Sequence, residues 1–395
     1  MKKNLRLVYC INSLENFGGM ERVLLDRVDY LIKNYGYDIT IITTEIEKGE
    51  RFFYLNPKIK TINLNIDYYN ILNGIKNEGK LLNIVAFLKK MLLKEKKRRE
   101  HLKKLQFEIE KINPDIIISM GDLSRDIVGK IKSKAKKILE NHFNKEFLLG
   151  EDIENKILRY FKVNIKTRLK KINLKNYDKF IVLTEEDKVK WIKMYKKYEK
   201  KIKVVNNPLT FYPKKVSTLE NKKVISLGRL TNQKGYDLLV KIWSIVNKEY
   251  PDWVLEIYGE GIERKKLESQ IEKLNLKEKI KLKGVTKHPD EKLYEASIYV
   301  MSSRFEGLPL TLIEAMSCGL PLVSFDCPCG PKDVITDGKN GFLCKFGDIE
   351  MMAEKIKYLI KNNDERKRMG NISKKISLNF KKEKIMENWK EIYEK

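Results

Sequence analysis

The chain has 395 residues, 42% of them apolar, so it is long enough for two packed domains. Its formal net charge of +27 suits nucleic acid or an anionic membrane surface. No nucleic-acid recognition motif accompanies the charge, so we expect no nucleic acid partner. No apolar run approaches the ~18 residues of a spanning helix, and the first run, 7–11, is too short for a secretion signal. These features predict a cytoplasmic protein.

Cysteine usage points the same way. Five scattered cysteines, an odd number, in a chain with no export signal predict reduced thiols. Cys327 and Cys329 are close in sequence, but no further Cys or His pair is spaced to complete a tetrahedral site with them. We therefore expect no bound metal.

Short apolar runs alternate with helical patterns along the whole chain. In the first half the predicted strands are 7–11, 39–43, 61–64, 116–119, 137–139, 180–183 and 203–205. In the second half they are 224–227, 254–258, 280–282, 298–301 and 322–325. This alternation is typical of α/β folds with doubly wound parallel sheets. We predict an N-terminal Rossmann-like domain at 1–208, a second one at 209–379 and a C-terminal helix at 380–395.

The turn after the first strand contains Gly18 and Gly19, and a helical apolar series follows it. A glycine turn that opens a helix exposes backbone N–H groups and predicts an anion site. The alternative is a helix start without a ligand. The dinucleotide fingerprint Gly-x-Gly-x-x-Gly does not occur here. We therefore expect no nicotinamide or flavin cofactor.

A basic amphipathic helix is predicted over 81–104. Residues 89–104 hold nine cations and two glutamates, a local net charge of +7. Apolar residues share one helical face there, namely Ile84, Phe87, Leu88, Met91 and Leu92. Such a helix can lie on an anionic membrane surface. The alternative is that its apolar face packs on the domain core and its lysines are merely solvated.

Charged residues of the second half follow predicted strands. Arg229 stands directly after the strand 224–227, and Lys234 follows in a loop closed by Gly235. Glu306 lies between the strand 298–301 and a helical pattern that contains Glu314. Two cations at a strand end suit a leaving diphosphate, helix N–H groups attract phosphate, and carboxylates can accept hydrogen bonds from sugar hydroxyls. Pro309 suits a first helical position because it lacks an N–H.

The segment from Arg304 to Pro321 resembles the retaining glycosyltransferases of family 4. Their signature is a Glu, seven residues and a second Glu, followed by Ala-Met-x-x-Gly-x-Pro, and the chain matches it from Glu306 to Pro321. The resemblance extends to Gly228-Arg229-Leu230 with Lys234, and to the run from Asp337 to Leu343. It implies a GT-B fold, in which two facing Rossmann-like domains enclose a cleft and the C-terminal helix returns to the first domain. That helix could instead cap the second domain.

The resemblance also implies roles for particular residues. The implied catalytic residues are Glu306, His142, Arg229 and Lys234, with His142 at a strand end close to the transferred sugar. For His142 the alternative is a purely structural role. Glu314 corresponds to the residue that binds the ribose hydroxyls of the nucleotide. The implied donor-binding residues are Gly18, Gly19, Gly228, Arg229, Lys234, Gly259, Glu306, Gly307, Leu308, Pro309, Leu310 and Glu314. The turn at Gly259 is equally explained as a simple tight turn.

The resemblance implies a retaining glycosyltransferase, and we expect it to be metal-independent. It would move a sugar from a nucleotide-diphosphate sugar, with UDP the favoured nucleotide, to a saccharide or polyprenyl-linked saccharide in bacterial cell-surface polysaccharide synthesis. The basic helix would hold it on the inner face of the plasma membrane. A sugar-nucleotide epimerase on the same architecture is the alternative, and a binding protein without chemistry is a third class that the four intact charged residues argue against.

Overall fold

The computed structural model describes residues 4–15, 18–47, 49, 53–68, 80–142 and 172–394, with the backbone alone for 80–90 and 122. The described chain divides into two compact units. The described part of the first unit consists of the residues up to His142, of 172–182 and of Trp191–Lys203. The second contains Leu183–Lys190 and everything from Val204 onward.

The first unit is built on a seven-stranded sheet. Its strands run in the order β3-β2-β1-β4-β5-β6-β7, and its recorded pairings are parallel. The strands are β1 Arg6–Ile11, β2 Asp38–Thr43, β3 Lys60–Asn63, β4 Ile116–Met120, β5 Lys136–Glu140, β6 Lys179–Val182 and β7 Ile202–Val204. The described helices that follow these strands in sequence are α1 Gly19–Tyr35, α2 Lys80–Ile112, α3 Asp122–Val128 and α4 Glu185–Met194.

The second unit contains a six-stranded parallel sheet in the order β10-β9-β8-β11-β12-β13. Its strands are β8 Lys223–Leu227, β9 Val254–Tyr258, β10 Ile280–Leu282, β11 Ile298–Met301, β12 Leu322–Asp326 and β13 Gly341–Lys345. Its described helices are α5 Tyr236–Glu249, α6 Arg264–Lys273, α7 Pro289–Tyr294, α8 Leu310–Ser317, α9 Pro331–Val334, α10 Ile349–Lys361, α11 Asn363–Ser377 and α12 Lys382–Glu394. Short 3-10 helices occur at Leu174–Asn176, Lys196–Lys201, Asn232–Lys234 and Leu378–Phe380.

The helices pack by the apolar periodicity visible in the sequence. In α5 the buried side chains Leu239, Ile242, Trp243 and Val246 recur every three or four residues and join the core beneath β8 and β9. Strands buried on both faces read as near-continuous apolar runs, and all four residues of β11 are buried. These cores hold the strand ends, and hence any site built on them, in fixed positions.

The predicted fold class, α/β with two doubly wound parallel sheets, is confirmed. Twelve of the strands were predicted within about two residues of their ends, whereas β13 was missed. The domain boundaries predicted at 208 and 379, and the return of the last helix to the first domain, stay predictions. All five cysteines are buried free thiols. Among the described helices none is both long and apolar enough to cross a membrane.

Candidate active site

The order of the second sheet reverses between β8 and β11. In doubly wound sheets ligands bind beyond the carboxyl ends of the strands at such a reversal. Gly228 and Arg229 directly follow β8, Gly259 follows β9, and Glu306 lies in the loop after β11. The structure therefore brings the predicted residues of the second half to one edge of one sheet.

Lys234 and Glu306 form an ion pair at this edge. The Nζ atom of Lys234 lies 2.8 Å from Oε1 of Glu306, and their side chains are 16% and 8% exposed. The two residues are 72 positions apart in the sequence. A pair so little exposed is only weakly screened by salt, so a ligand that enters this edge meets a strong local dipole.

Two loops are tied together to hold that pair. Gly235 has a φ of 64°, and a Cβ atom there would collide with the carbonyl oxygen of Ser302. Arg304 binds Asp237 through two hydrogen bonds of 2.8 Å and donates a third, of 2.7 Å, to the carbonyl of Asn232. Burial raises the pKa of Asp237, but the hydrogen bond and charge of Arg304 bring it below its ordinary value. These bonds form an Arg304–Asp237 clamp, which fixes the turn that carries Lys234 against the loop that carries Glu306.

Arg229 presents a different kind of cation. It is exposed, and its guanidinium makes no hydrogen bond or ion pair with the described part of the chain. The backbone beside it is closely packed: at Gly259, whose φ is 146°, a Cβ atom would collide with the carbonyl oxygen of Gly228. The close approach of the backbone at Gly228 therefore requires glycine at position 259. The contact of Gly259 with the nucleotide stays a prediction.

The loop from Glu306 to Pro309 leads into α8. The backbone N–H of Glu306 donates to the carbonyl of Pro328 at 3.2 Å, and at Gly330, φ 93°, a Cβ atom would collide with the carbonyl of Gly307. Pro309 is the N-cap of α8, and the helix begins at Leu310, one residue later than predicted. The N–H of Leu312 already donates to the carbonyl of Pro309 at 3.0 Å. The N–H groups before it have no acceptor within the helix and can bind an anion.

Glu314 lies in the second turn of α8. It is 4% exposed, and its carboxylate accepts a hydrogen bond from the hydroxyl of Thr210. Tyr299 of β11 contacts the end of β8, since its buried hydroxyl lies 3.4 Å from the carbonyl oxygen of Leu227. Glu314 is therefore an oriented carboxylate beside the same sheet edge.

The first sheet reverses its order between β1 and β4. Gly18 is the N-cap of α1 and Gly19 its first residue, as predicted from the sequence. A Cβ atom at Gly18 would collide with the carboxylate of Glu21, which is 5% exposed. A negative side chain therefore lies at this helix start, where the sequence predicted an anion site; the donor contact of the two glycines stays a prediction.

His142 follows β5 and belongs to a buried charged cluster. Its Nε2 atom lies 2.9 Å from Oε1 of Glu140, although the angle at the ring nitrogen departs from that of a straight hydrogen bond. Arg27 of α1 binds the same carboxylate through Nη1 to Oε2 at 2.7 Å and Nη2 to Oε1 at 2.6 Å. Burial raises the pKa of Glu140, but Arg27 and His142 lower it to about 2. Glu140 is thus an anion at neutral pH.

Three groups at these edges were missed by the sequence reasoning: the Arg304–Asp237 clamp, Thr210 beside Glu314, and the Arg27–Glu140 pair. A sequence signal existed for Arg27, because it falls on the apolar face of α1 between Leu24 and Leu31. In the described residues no three His, Cys, Asp or Glu side chains are grouped as a metal site. Metal independence stays a prediction.

The two doubly wound units have the fold of solved GT-B glycosyltransferases. A mutant form of S. aureus TarM, whose crystal structure is in complex with fondaparinux, alpha-GlcNAc-glycerol and UDP, matches the chain with a TM-score of 0.78. The match covers 99% of this chain and 100% of that one at 20% sequence identity.

Sequence comparison identifies the family. Residues 210–376 match the family model described as Glycosyl transferases group 1. An uncharacterized glycosyltransferase from Haemophilus influenzae is 31% identical over 98% of this chain and 99% of its own length. The amylovoran biosynthesis glycosyltransferase AmsD from Erwinia amylovora is 26% identical over 98% and 99%. The chain belongs to the group 1 glycosyltransferases.

Proposed function

We propose that the protein is a retaining glycosyltransferase of the family 4 type, which transfers a sugar from a UDP-sugar to a saccharide acceptor. The observation that carries this proposal is the Lys234–Glu306 pair beside exposed Arg229, where the second sheet reverses its order. The UDP bound to TarM supports the choice of nucleotide. The relative named for amylovoran biosynthesis supports an acceptor in cell-surface polysaccharide synthesis.

In this mechanism the cations act on the leaving group. The bond between the anomeric carbon and the phosphate oxygen breaks, and negative charge develops on the diphosphate, where Arg229 and Lys234 stabilise it. The N–H groups and dipole of α8 add to that stabilisation, so no metal ion is required. When the diphosphate binds Lys234, the carboxylate of Glu306 becomes available to accept a hydrogen bond from a sugar hydroxyl.

The acceptor hydroxyl would attack the anomeric carbon from the face that the phosphate leaves. The new carbon–oxygen bond forms as the old one breaks, and a leaving phosphate oxygen takes the proton of the acceptor. This route retains the configuration of the sugar without a covalent enzyme intermediate, for which the sequence offered no dedicated nucleophile. Glu314 would bind the ribose hydroxyls, and His142 would contact the transferred sugar.

The experiment is incubation with a panel of nucleotide sugars and saccharide acceptors, followed by mass spectrometry. We expect acceptor-dependent transfer, with the anomeric configuration of donor and product equal by NMR and activity unchanged by EDTA. Isomerisation of the donor without acceptor would instead support the epimerase. Transfer with inversion would contradict the retaining mechanism, and loss of activity in EDTA would contradict metal independence.

We also propose that α2 binds an anionic membrane surface, where a polyprenyl-linked acceptor would be found. Met91 and Leu92 are 49% and 73% exposed, which disfavours the alternative that this end of the apolar face packs on the core. The neighbouring residues Lys94 and Lys96 are exposed as well. Apolar side chains flanked by cations suit an interface of anionic lipid, to which each nearby cation contributes about 1 kcal/mol.

Liposome sedimentation tests this membrane proposal. We expect the protein to sediment with vesicles that contain phosphatidylserine and to remain in solution with phosphatidylcholine alone. Leu92→Ser should weaken the binding, whereas Phe107→Ser, on the same helix and 63% exposed but outside 81–104, should not. Equal partitioning to both kinds of vesicle, or equal effects of the two substitutions, would exclude the proposed surface.

A further inference from the structure

The cluster of Arg27, Glu140 and His142 is among the least exposed groups of charged side chains in the described residues. Their side chains are 1%, 0% and 5% exposed. Arg27 uses both terminal nitrogens of its guanidinium on Glu140, and Oε1 of Glu140 lies within 3 Å of both Arg27 and His142. A single carboxylate thus links the middle of α1 to the residues that follow β5.

Stability alone gives no reason for such a group. Removing two charges from water is expensive, and well-packed apolar residues in place of a buried ion pair are often as stable or more so. The apolar neighbours of Arg27 on α1, Val23, Leu24 and Leu31, are fully buried and would accommodate such a replacement. A buried pair that ends on a third, titratable side chain points to a role for that side chain.

The contact distance determines which ring nitrogen of His142 carries hydrogen. A carboxylate oxygen repels the lone pair of an unprotonated ring nitrogen at 2.9 Å, whereas it attracts an Nε2–H group even through a bent contact. The proton of the neutral imidazole is therefore on Nε2, the nitrogen that lies 2.9 Å from Glu140. The other nitrogen, Nδ1, is then a hydrogen-bond acceptor.

We propose that Arg27 and Glu140 are positioning residues that hold His142 in the Nε2–H tautomer, so that Nδ1 accepts a hydrogen bond from a hydroxyl of the transferred sugar. The arrangement follows the general pattern in which a carboxylate orients a functional histidine through its second ring nitrogen. Arg27 keeps Glu140 ionised inside the protein, and Glu140 in turn sets the tautomer. The sugar contact rests on the proposed function, whereas the tautomer does not.

The tautomer can be measured directly, because the chain has only three histidines. Protein labelled with ¹⁵N-histidine is examined by NMR at pH 8.5, where an ordinary imidazole is neutral, and His142→Asn identifies the signal. We expect Nε2–H for His142 in the wild type. We expect a mixed or Nδ1–H state in Glu140→Gln, since a glutamine amide can present either a donor or an acceptor to the ring. An Nδ1–H wild type, or the same tautomer in both proteins, would overturn the proposal.

Glu140→Gln removes the anion that pairs with the buried charge of Arg27, and this variant can fail to fold. The double variant Arg27→Met/Glu140→Gln removes both charges and keeps an amide beside His142. We expect it to fold and to show the same loss of the Nε2–H state. A folded double variant with the wild-type tautomer would mean that the pair does not set the state of the ring.

Turnover with the donor found in the panel above completes the test. We expect the double variant to lose roughly 10- to 100-fold in kcat, as for other residues that orient a functional histidine. Adding His142→Ala to it should then cause little further loss, because the three side chains act as one unit. Independent, multiplicative losses would overturn the positioning role. If no donor is turned over by the wild type, the proposed function fails while the tautomer result stands by itself.

Discussion

At the carboxyl edge of the first sheet the charged side chains are almost completely removed from water, whereas at the same edge of the second sheet they remain partly exposed. The side chains of Arg27 and Glu140 are 1% and 0% exposed, compared with 16% for that of Lys234, and Arg229 is an exposed residue. At the first edge, Arg27 and Glu140 form an ion pair with each other. At the second, the exposed guanidinium of Arg229 remains available to a ligand.

This difference in exposure distinguishes charged residues that orient a neighbouring side chain from those that can bind a ligand. A buried pair cannot exchange its partner for a ligand without leaving a charge stranded, so the Arg27–Glu140 pair can orient a neighbour but cannot itself bind a diphosphate. A partly exposed lysine can exchange a carboxylate for a phosphate at much lower cost. We therefore expect a single substitution that breaks the first pair to act mainly on stability, and a substitution of the cations in the second edge to act mainly on turnover.

The largest expected effect is on folding and comes from the first edge. Arg27→Met leaves Glu140 as an uncompensated buried anion, which should reduce the free energy of unfolding by about 3–5 kcal/mol. Urea denaturation measures this. The matched control is Lys60→Met, which removes an exposed pair with Asp38 and should change stability by no more than about 1 kcal/mol. Equal effects of the two substitutions would remove the distinction between the edges.

The next largest effect is on turnover and comes from the second edge. Lys234→Ala removes one of two cations that stabilise the leaving diphosphate, so kcat should fall by about 10²–10³-fold while the protein still folds. Lys222→Ala, which removes an exposed pair with Asp252 in the same unit, is the control and should keep its activity. Near-normal turnover in Lys234→Ala would remove the leaving-group role of that residue.

The strands could be predicted from the sequence because parallel strands buried on both faces are continuous apolar runs. The strand β13, Gly341–Lys345, lacks that signature: it begins at a glycine after the turn residues Asp337 to Asn340, and two of its five residues lie outside the core. Its place depends on pairing with β12. Local pattern alone does not contain that information.

The sequence identified single residues of the candidate site but not the contacts between them. Glu306 and Lys234 each occupy a strand-to-helix loop that a pattern can identify, but their contact spans 72 positions and depends on two closed loops. The Arg27–Glu140 pair spans 113 positions. A charged residue on an apolar helical face signals that a partner exists, yet the topology of the sheet determines which residue it is.

Acid should lower the stability of the first unit through a buried histidine that lies outside the Arg27–Glu140–His142 cluster. His101 of α2 is 1% exposed between Thr44 and Tyr68, and burial lowers its pKa to about 4 from an ordinary 6.5. The unfolded chain therefore binds a proton that the folded one does not between pH 6.5 and 4, and stability falls as the pH is lowered through that window.

From pH 7 to pH 5 the expected loss is about 2 kcal/mol in the free energy of unfolding. Glu140 contributes in a separate window, because its folded pKa is lowered and its stabilisation is lost only below about pH 4.5. Urea midpoints at both pH values, compared between wild type and His101→Gln, measure the effect. The control is His288→Asn, which alters an exposed histidine of the second unit. An unchanged pH dependence in His101→Gln would show that the loss arises elsewhere.

The smallest effect tests whether the second edge binds a nucleotide through a carboxylate. Glu314→Gln keeps an acceptor for Thr210 but loses the charge that would strengthen hydrogen bonds from ribose hydroxyls. We expect UDP to bind about tenfold more weakly, a difference of about 1.4 kcal/mol, by isothermal titration. Glu350→Gln, an exposed glutamate of α10, should bind UDP as the wild type does. Because Glu314 is nearly as buried as the groups of the first edge, a loss of stability without a loss of affinity would place it with the orienting residues and not with the binding ones.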